Sequence, residues 1–397
     1  MELTNKQEQG LKIALERYKN HEKYTVISGF AGSGKSTLIR FIIDALEGMG
    51  VHEEDVCYAC YTGKACQVLL KMGNKNVSTL HKLLFESIPT IDGRWIRKPK
   101  TSLGYKLIIV DEVSMVPKTL INMLFKHDVH VICLGDSFQL PPIDKDSDNH
   151  LLDNPHIFLD EIMRQAADSE IIQFATKVRQ FEPLPDHFIG KEVQILDHNE
   201  INTGMLLWAD QILVGTNATR ISLNNSIRKE LGRGSRPEDG DKVICLRNYW
   251  DDLSEECNPL VNGTIGYINN SYESFLQLPY WVVKNQSIRQ IPIITAEFSS
   301  DNNEYYGTFN MDKKLILEGE KTLNWKTSYL LGKSEKTKHL VPYEFTYGYA
   351  ITTHKAQGSQ WDKVLVYEEG FPYQKEEHAR WLYTSITRSA EKLVLLR

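Results

Sequence analysis

Cysteine is scarce in this chain. Six thiols spread over 397 residues exclude a disulfide-stapled scaffold and read as reduced, buried groups. Long apolar runs are missing too, since none approaches the roughly 18 residues that a membrane span needs. The opening MELTNKQEQG has no basic start followed by an apolar segment, so no secretory leader is expected. Low-complexity tracts and internal repeats are absent by eye. What remains is an ordinary folded composition, 41% hydrophobic and 25% charged, of a length that suits two or three domains. A cytoplasmic protein (host or bacterial cytosol) is the expectation.

The net charge of −6 argues by itself against a polyanionic partner, but the charge is uneven. Between Thr62 and Lys106 nine cations (Lys64, Lys71, Lys75, Lys82, Arg94, Arg97, Lys98, Lys100, Lys106) meet only Glu86 and Asp92. That segment carries +7 and leaves −13 for the rest. A basic tract on an acidic body fits a phosphate-binding groove, because the charges nearest the phosphates decide binding. From charge alone a solvated lysine-rich surface is the favoured reading, and other features have to decide.

Short apolar runs recur at Tyr24–Ser28, Leu107–Val110, Val129–Leu134, Gln211–Gly215, Lys363–Tyr367 and Lys392–Leu396. Runs of this length read as strands buried on both faces of a parallel sheet. After Ser36, the residues Leu38, Phe41, Ile42, Ala45, Leu46 and Met49 fall at helical steps, with Gly50 placed as a C-cap. Alternating strands and helices imply an α/β fold with parallel sheets. From about Gly240 to Leu340 sustained helical periodicity is lost, and Tyr280–Lys284 and Ile291–Glu297 read as strands of a β-rich insertion. A shorter insertion over Phe85–Thr101 carries the hairpin-turn signal Asp92-Gly93.

Gly29-Phe-Ala31-Gly32-Ser33-Gly34-Lys35-Ser36, followed by Thr37, fits the phosphate-binding loop pattern, and it sits between an expected strand and an expected helix. Its backbone N–H groups and the helix N-terminus would cradle phosphates. Lys35 would reach the β- and γ-phosphates, and Ser36 would hold Mg²⁺. The run Leu107–Val110 leads into Asp111-Glu112, which supplies a carboxylate for Mg²⁺ and a second one to polarise an attacking water. ATP and Mg²⁺ are therefore the expected cofactors. The pair Cys57 and Cys60 has no partner pair at zinc spacing and reads as inert thiols in a strand.

Further motifs carry a resemblance. Asp111-Glu-Val-Ser-Met115 and Gly135-Asp-Ser-Phe-Gln139-Leu-Pro-Pro-Ile143 are similar to motifs II and III of superfamily 1 helicases. Tyr349-Ala-Ile-Thr352-Thr-His354-Lys355-Ala-Gln357-Gly-Ser359 resembles motif V, and Tyr383-Thr-Ser-Ile-Thr387-Arg388 motif VI. Leu3-Thr-Asn-Lys-Gln7, Tyr61-Thr62-Gly-Lys64-Ala65, Ser78-Thr79-Leu-His81, Glu161-Ile-Met-Arg164-Gln165, Leu213-Val-Gly-Thr-Asn217, Gly240-Asp-Lys-Val243, Asn248-Tyr249 and Val261–Gly266 resemble further motifs of the 1B branch, which contains RecD and Dda. The likeness extends over nearly the whole chain.

That resemblance implies two RecA-like domains, the first over 1–160 with a hairpin insertion at about 85–101. The second would combine 161–240 with 341–397, and 241–340 would form an SH3-like insertion. It implies an ATP-driven DNA helicase moving 5′ to 3′ as a monomer on single-stranded DNA and unwinding duplex at junctions, with no membrane partner. Gln7 would face the adenine, Gln139 would sense the γ-phosphate, and Arg164 and Arg388 would act as arginine fingers. Thr62, Lys64, Ser78, Thr79 and His81 would hold DNA from the first domain, and Asn217, Thr352, His354 and Lys355 from the second. His354 reads equally as a packed histidine. Trp95 and Ile96 on the hairpin would wedge the fork open, or Trp95 would pack on its own hairpin. An RNA-directed helicase and a translocase that strips proteins without unwinding share these motifs.

Overall fold

The computed structural model describes residues 3–89, 95–141, 148–249, 260–283, 289–301, 304–334, 336–372 and 374–397. The chain forms two compact units. One comprises the chain through Glu86, Pro99–Gly215 and Thr352–Arg397, the other Ser87–Lys98 with Thr216–Ile351.

The first unit holds two sheets. Its six-stranded sheet runs in the order Val77–Thr79, Val56–Cys60, Leu107–Val110, His130–Gly135, Tyr24–Gly29, Ile157–Leu159, all parallel. Alternate residues of a strand point to opposite faces, and here both faces are covered. Ile108 and Val110 pack with Leu80, Leu84, Ile121 and Leu124, whereas Leu107 and Ile109 pack with Leu38, Ile42 and Leu46. Continuous apolar runs therefore become central strands because neither face meets water. In the other sheet of this unit Gln211–Val214, Trp361–Tyr367, Ser389–Leu396 and Val193–Leu196 are parallel neighbours, and Phe188–Ile189 adds an antiparallel edge.

The helix after the glycine-rich loop spans Lys35–Glu47 and caps at Gly48, two residues before the expected Gly50. Gly50 instead takes a left-handed conformation in the following turn, and Met49 lies outside the helix, exposed. The buried stripe of Leu38, Ile42 and Leu46 is complete by then, so packing gives no reason to add a turn.

The second unit is built on a five-stranded antiparallel sheet in the order Tyr305–Asp312, Gln290–Ser300, Ile265–Gln277, Lys242–Cys245, Phe345–Tyr347. Tyr280–Val283 is a short helix and not the expected strand. Pro279 precedes it, and its carbonyl accepts from the Val282 amide at 2.9 Å, which turns an apolar run into a helical turn. Two more helices, Lys313–Glu318 and Trp325–Gly332, fall where periodicity was not evident. Both are too short to show a pattern, and the Asp312 and Asn324 side chains cap them. Strands Phe85–Pro89 and Trp95–Pro99 pair as the small hairpin. Its turn signal Asp92-Gly93 and the side chains of Trp95 and Ile96 lie outside the described residues. No helix among the described residues is long and apolar enough to cross a membrane.

A buried ion pair anchors the second unit. The Arg228 guanidinium donates to Asp241 from Nε at 3.0 Å and from Nη2 at 3.1 Å, and Arg233 lies 3.1 Å from the same carboxylate. The Tyr349 hydroxyl and the Glu238 amide donate to Asp241 as well. Removing one partner of such a pair strands the other charge in a dry interior. Asp241→Ala is expected to destabilise the protein by about 3–5 kcal/mol, read as a lower urea midpoint.

Candidate nucleotide site and nucleic-acid surface

The strand Tyr24–Gly29 ends at the glycine-rich loop, and the helix from Lys35 opens directly after it. Gly34 takes φ +78°, a left-handed conformation that favours glycine, and a Cβ there would lie 2.5 Å from the Gln7 amide nitrogen and displace it. Gln7 is buried beside the loop. It donates to the Gly34 carbonyl at 3.3 Å and closes a capping box with Thr4. Lys35 Nζ donates to the Gly29 and Phe30 carbonyls at 2.6 and 3.1 Å, which curls its ammonium back over the loop. The Ser33 hydroxyl is buried without a partner. Ser36 is exposed at the helix start, and Ala31, Gly32 and Thr37 are half-buried.

Asp111 and Glu112 follow the strand Leu107–Val110, two strands from the loop in the same sheet. Asp111 accepts the Glu112 amide at 2.8 Å. Burial, and then the neighbouring Glu112 charge, push the Asp111 carboxyl up to about 6. Glu112 adopts φ +51° and ψ +45°, a left-handed conformation that costs a non-glycine residue about 1–3 kcal/mol. Such strain at a carboxylate is a common mark of a functional site.

Gln139 and Arg388 meet Glu112. With its amide oriented to satisfy both neighbours, Gln139 donates to Glu112 Oε2 at 2.9 Å and accepts from Arg388 Nη2 at 3.2 Å. Arg388 Nη1 lies 3.6 Å from Glu112 Oε1. The Arg388 guanidinium is buried and also donates to the Thr384 and Ser359 carbonyls, both at 3.2 Å. Arg164 begins the short helix Arg164–Ala167, and its side chain is outside the described residues.

Several contacts around this cluster were not legible as site features. The Tyr383 hydroxyl donates to Asp136 at 2.5 Å and accepts the Ala31 amide of the glycine-rich loop at 2.9 Å. Burial raises the Asp136 carboxyl above the usual carboxylate range, and the Tyr383 bond opposes that rise. Leu140 is held at both backbone groups, its amide by Thr384 at 3.0 Å and its carbonyl by Gln357 at 2.7 Å. Arg380 donates to the Ser137 carbonyl at 2.8 Å, and the Arg179 guanidinium lies 3.7 Å above the Phe30 ring. Tyr383, Thr384, Asp136 and Gln357 lie inside motif strings, so the motif itself was their sequence signal, whereas Arg380 and Arg179 lie outside every motif and carried none.

The expected DNA contacts fall into three groups. Thr62 and Thr79 cap helices through their hydroxyls, accepting from Ala65 at 3.2 Å and Lys82 at 3.3 Å. Lys64 is buried, Ser78 bonds the Thr79 carbonyl, and His81 sits between the Tyr61 and Phe85 rings. Thr352, His354 and Lys355 lie at the short helix Thr353–Ala356, with Lys355 exposed. Gly358 brings the two groups together: at φ +72° its Cβ position lies 3.1 Å from Ala65 Cβ and 3.2 Å from Thr62 Oγ1. Burial lowers the His354 pKa, so a neutral imidazole is what this site offers. Asn217 opens the helix Asn217–Glu230 in the other unit and accepts from Arg220. Among the described residues no group of three or more His, Cys, Asp or Glu side chains is placed to hold a metal. Burial pushes the Cys57 thiol up to about 12, and a hydrogen bond with Cys66 and burial raise Cys60, so both stay protonated.

A glycine-rich loop at a strand end, a carboxylate pair on a nearby strand of the same sheet, and a glutamine and an arginine converging on it define a P-loop nucleoside triphosphatase. A family model described as an AAA domain matches residues 2–197, and one described as a UvrD-like helicase C-terminal domain matches residues 347–396. By these matches the chain is similar to the superfamily 1B helicases. It is 25% identical to the ATP-dependent RecD2 DNA helicase of Deinococcus radiodurans, over 95% of this chain and 47% of that protein. It thus spans about half the length of that relative. To the ATP-dependent DNA helicase dda of Enterobacteria phage T4 it is 24% identical, over 98% and 97% of the two chains. The crystal structure of a Bacteroides Pif1 helicase in complex with ADP-AlF3 and ssDNA shares the fold. Its TM-score is 0.53 at 18% identity, covering 100% of this chain and 92% of that one.

The Tyr383 hydroxyl bridges a loop amide and a buried carboxylate. Tyr383→Phe is expected to lower stability by about 1–3 kcal/mol, the cost of leaving buried polar groups unpaired. Combining it with Asp136→Asn should be clearly non-additive in urea unfolding. Additive losses would mean that the two groups act separately.

Proposed function

We propose that the chain is an ATP-dependent DNA helicase that moves on single-stranded DNA, 5′ to 3′, and unwinds duplex at junctions. The observation that carries the reading is the convergence of Gln139 and buried Arg388 on Glu112, beside Asp111 and in the unit that holds the phosphate loop. The names of the RecD2 and Dda relatives support the choice of DNA. We read the two parallel sheets as two RecA-like cores, with the boundaries 1–160 and 161–240 plus 341–397, and 241–340 as the SH3-like insertion.

The oxygen-only pair of Ser36 hydroxyl and half-buried Asp111 carboxylate fits a hard divalent cation, and a carboxyl raised toward neutrality is one whose proton a cation would displace. Mg²⁺ held there would offset charge on the β- and γ-phosphates. The chain supplies the rest. Loop amides from Ala31 to Thr37 and Lys35 bind phosphate, Gln7 faces the base, and Glu112 accepts the proton of the attacking water. Gln139 senses the γ-phosphate, and Arg388, with Arg164, stabilises the transferring phosphoryl, an effect of about 10³–10⁵ in rate for arginine fingers. Cleft closing on ATP and opening after hydrolysis moves the strand past Thr62, Lys64, Ser78, Thr79, His81, Asn217, Thr352, His354 and Lys355. Small polar contacts of this kind read little sequence, which suits a motor that steps over any base.

Purified protein should unwind a fork with a 5′ single-stranded tail in the presence of ATP and Mg²⁺ and leave a 3′-tailed duplex paired. Lys35→Ala and Glu112→Gln should each cut DNA-stimulated ATP turnover by at least about 10³-fold. ATP turnover indifferent to added oligonucleotide would falsify the motor reading.

Trp95 and Ile96, on the second strand of the hairpin, are the proposed wedge at the fork. Trp95→Ala should then impair unwinding severalfold while DNA-stimulated ATPase stays nearly intact. Equal loss of both would assign Trp95 a packing role.

A further inference from the structure

The second unit carries a groove that, of the motifs, only Asn248-Tyr249 reaches. It has a volume of about 870 Å³ and is lined by Arg247, Lys321, Trp325, Tyr329, Lys333 and Lys338 among others. The helix Trp325–Gly332 forms one wall. Thr327 and Leu331, four residues apart, are buried, and Leu331 packs in a small apolar core with Leu323, Leu340, Ile291 and Ile293. Trp325 and Tyr329, also four apart but offset by two, therefore turn outward and are 72% and 56% exposed. Two large rings on one outward stripe are costly to leave in water unless something uses them.

Cations surround the rings. Lys326 Nζ lies 5.8 Å from the Trp325 ring centre, and Lys333 Nζ lies 4.3 Å from that of Tyr329. Across the groove one carboxylate, Glu344, is shared by Lys321 at 2.8 Å and Arg247 at 3.7 Å, so cations outnumber acids there as well. The stretch 321–339 holds five lysines against one glutamate in a chain whose total is −6. Flat apolar rings ringed by ammonium groups, with almost no carboxylate to repel a phosphate, match a polymer of stackable bases on an anionic backbone.

We propose that this groove is a second binding site for single-stranded DNA, with bases stacked on Trp325 and Tyr329 and phosphates paired with Lys333 and Lys338. Apart from Asn217 and the proposed wedge residues Trp95 and Ile96, the DNA contacts assigned above all lie in the other unit, and none of these three is among the lining residues. The inference rests on the reading of the chain as a motor on single-stranded DNA, and it adds a second grip on that strand. Stacking tolerates any base, so the site would be sequence-independent. Phosphate pairing makes it salt-sensitive, at a slope of about −0.7 per phosphate neutralised.

The test uses the full chain and fluorescein-labelled oligo-dT followed by anisotropy. Trp325→Ala with Tyr329→Ala should weaken binding at least about fivefold per ring lost, while Trp325→Phe retains affinity. Lys333→Glu with Lys338→Glu should weaken binding and flatten the salt dependence, and this pair decides the matter if the ring variants melt early. Photocrosslinking of iodouracil-containing oligonucleotide should label peptides within 321–339. Unchanged affinity in both double variants, or crosslinks confined to the other unit, would overturn the proposal and leave the motor reading standing. So would poly-glutamate displacing no oligonucleotide yet protecting Trp325 from quenching, since the groove would then take acidic peptide. Wild-type protein that binds no oligo-dT at all would instead sink the motor reading itself.

Discussion

The structure of the first unit turns on one helix, Lys375–Ile386, and the arginine just after it. From this short span Arg380 holds the Ser137 carbonyl, Tyr383 bridges Asp136 and the Ala31 amide, Thr384 holds the Leu140 amide, and Arg388 meets Gln139 and Glu112. The segment from Asp136 to Leu140 is thereby tied, residue after residue, to the end of the chain. Each bond is buried or half-buried, so each is worth more than its counterpart in water, and losing one leaves a group that cannot turn to solvent. The helix can take this role because Trp381, Leu382 and Ile386 seat it in the apolar interior, leaving the intervening polar residues aimed at the loop.

Charge explains why the cluster sits where it does. Asp111, Glu112 and Asp136 bring three carboxylates close to one loop, and burial alone would make that arrangement expensive. Lys35 and Arg388 each lower the Asp111 carboxyl against the opposing effects of burial and Glu112. The left-handed Glu112 backbone adds strain that only a well-determined surrounding could hold. A site so rich in opposed charges is suited to binding a nucleoside triphosphate. The same logic separates the two units. The first concentrates carboxylates and fixed cations around a phosphate loop, and the second exposes lysines and aromatic rings on a short helix.

How much of this was readable beforehand varies with the physical signal. Buried strands were legible because burial on both faces forces an unbroken apolar run, as in Leu107–Val110. The loop–helix junction at Lys35 was legible because glycine spacing and a following amphipathic stripe coincide. The end of that helix was not, since Gly48 and Gly50 both look like caps and only packing chooses. Tyr280–Val283 misled because four apolar residues fit a strand or a helical turn equally, and Pro279 decided it. Helices of six and eight residues at Lys313 and Trp325 are below the length at which periodicity can be seen.

By itself the sequence determined the class of fold, the phosphate loop, the carboxylate pair and the identity of the residues that belong together, because these depend on local spacing and on motifs a few residues long. Only the tertiary structure decided which of them touch. That Tyr383 spans Asp136 and Ala31, that Gly358 lies against Thr62, and that Trp325 and Tyr329 share a cation-lined groove are contacts between side chains or segments set by packing and topology. No one-dimensional pattern encodes them, since the same short strings could be presented at many distances until sheets and helices bring them together.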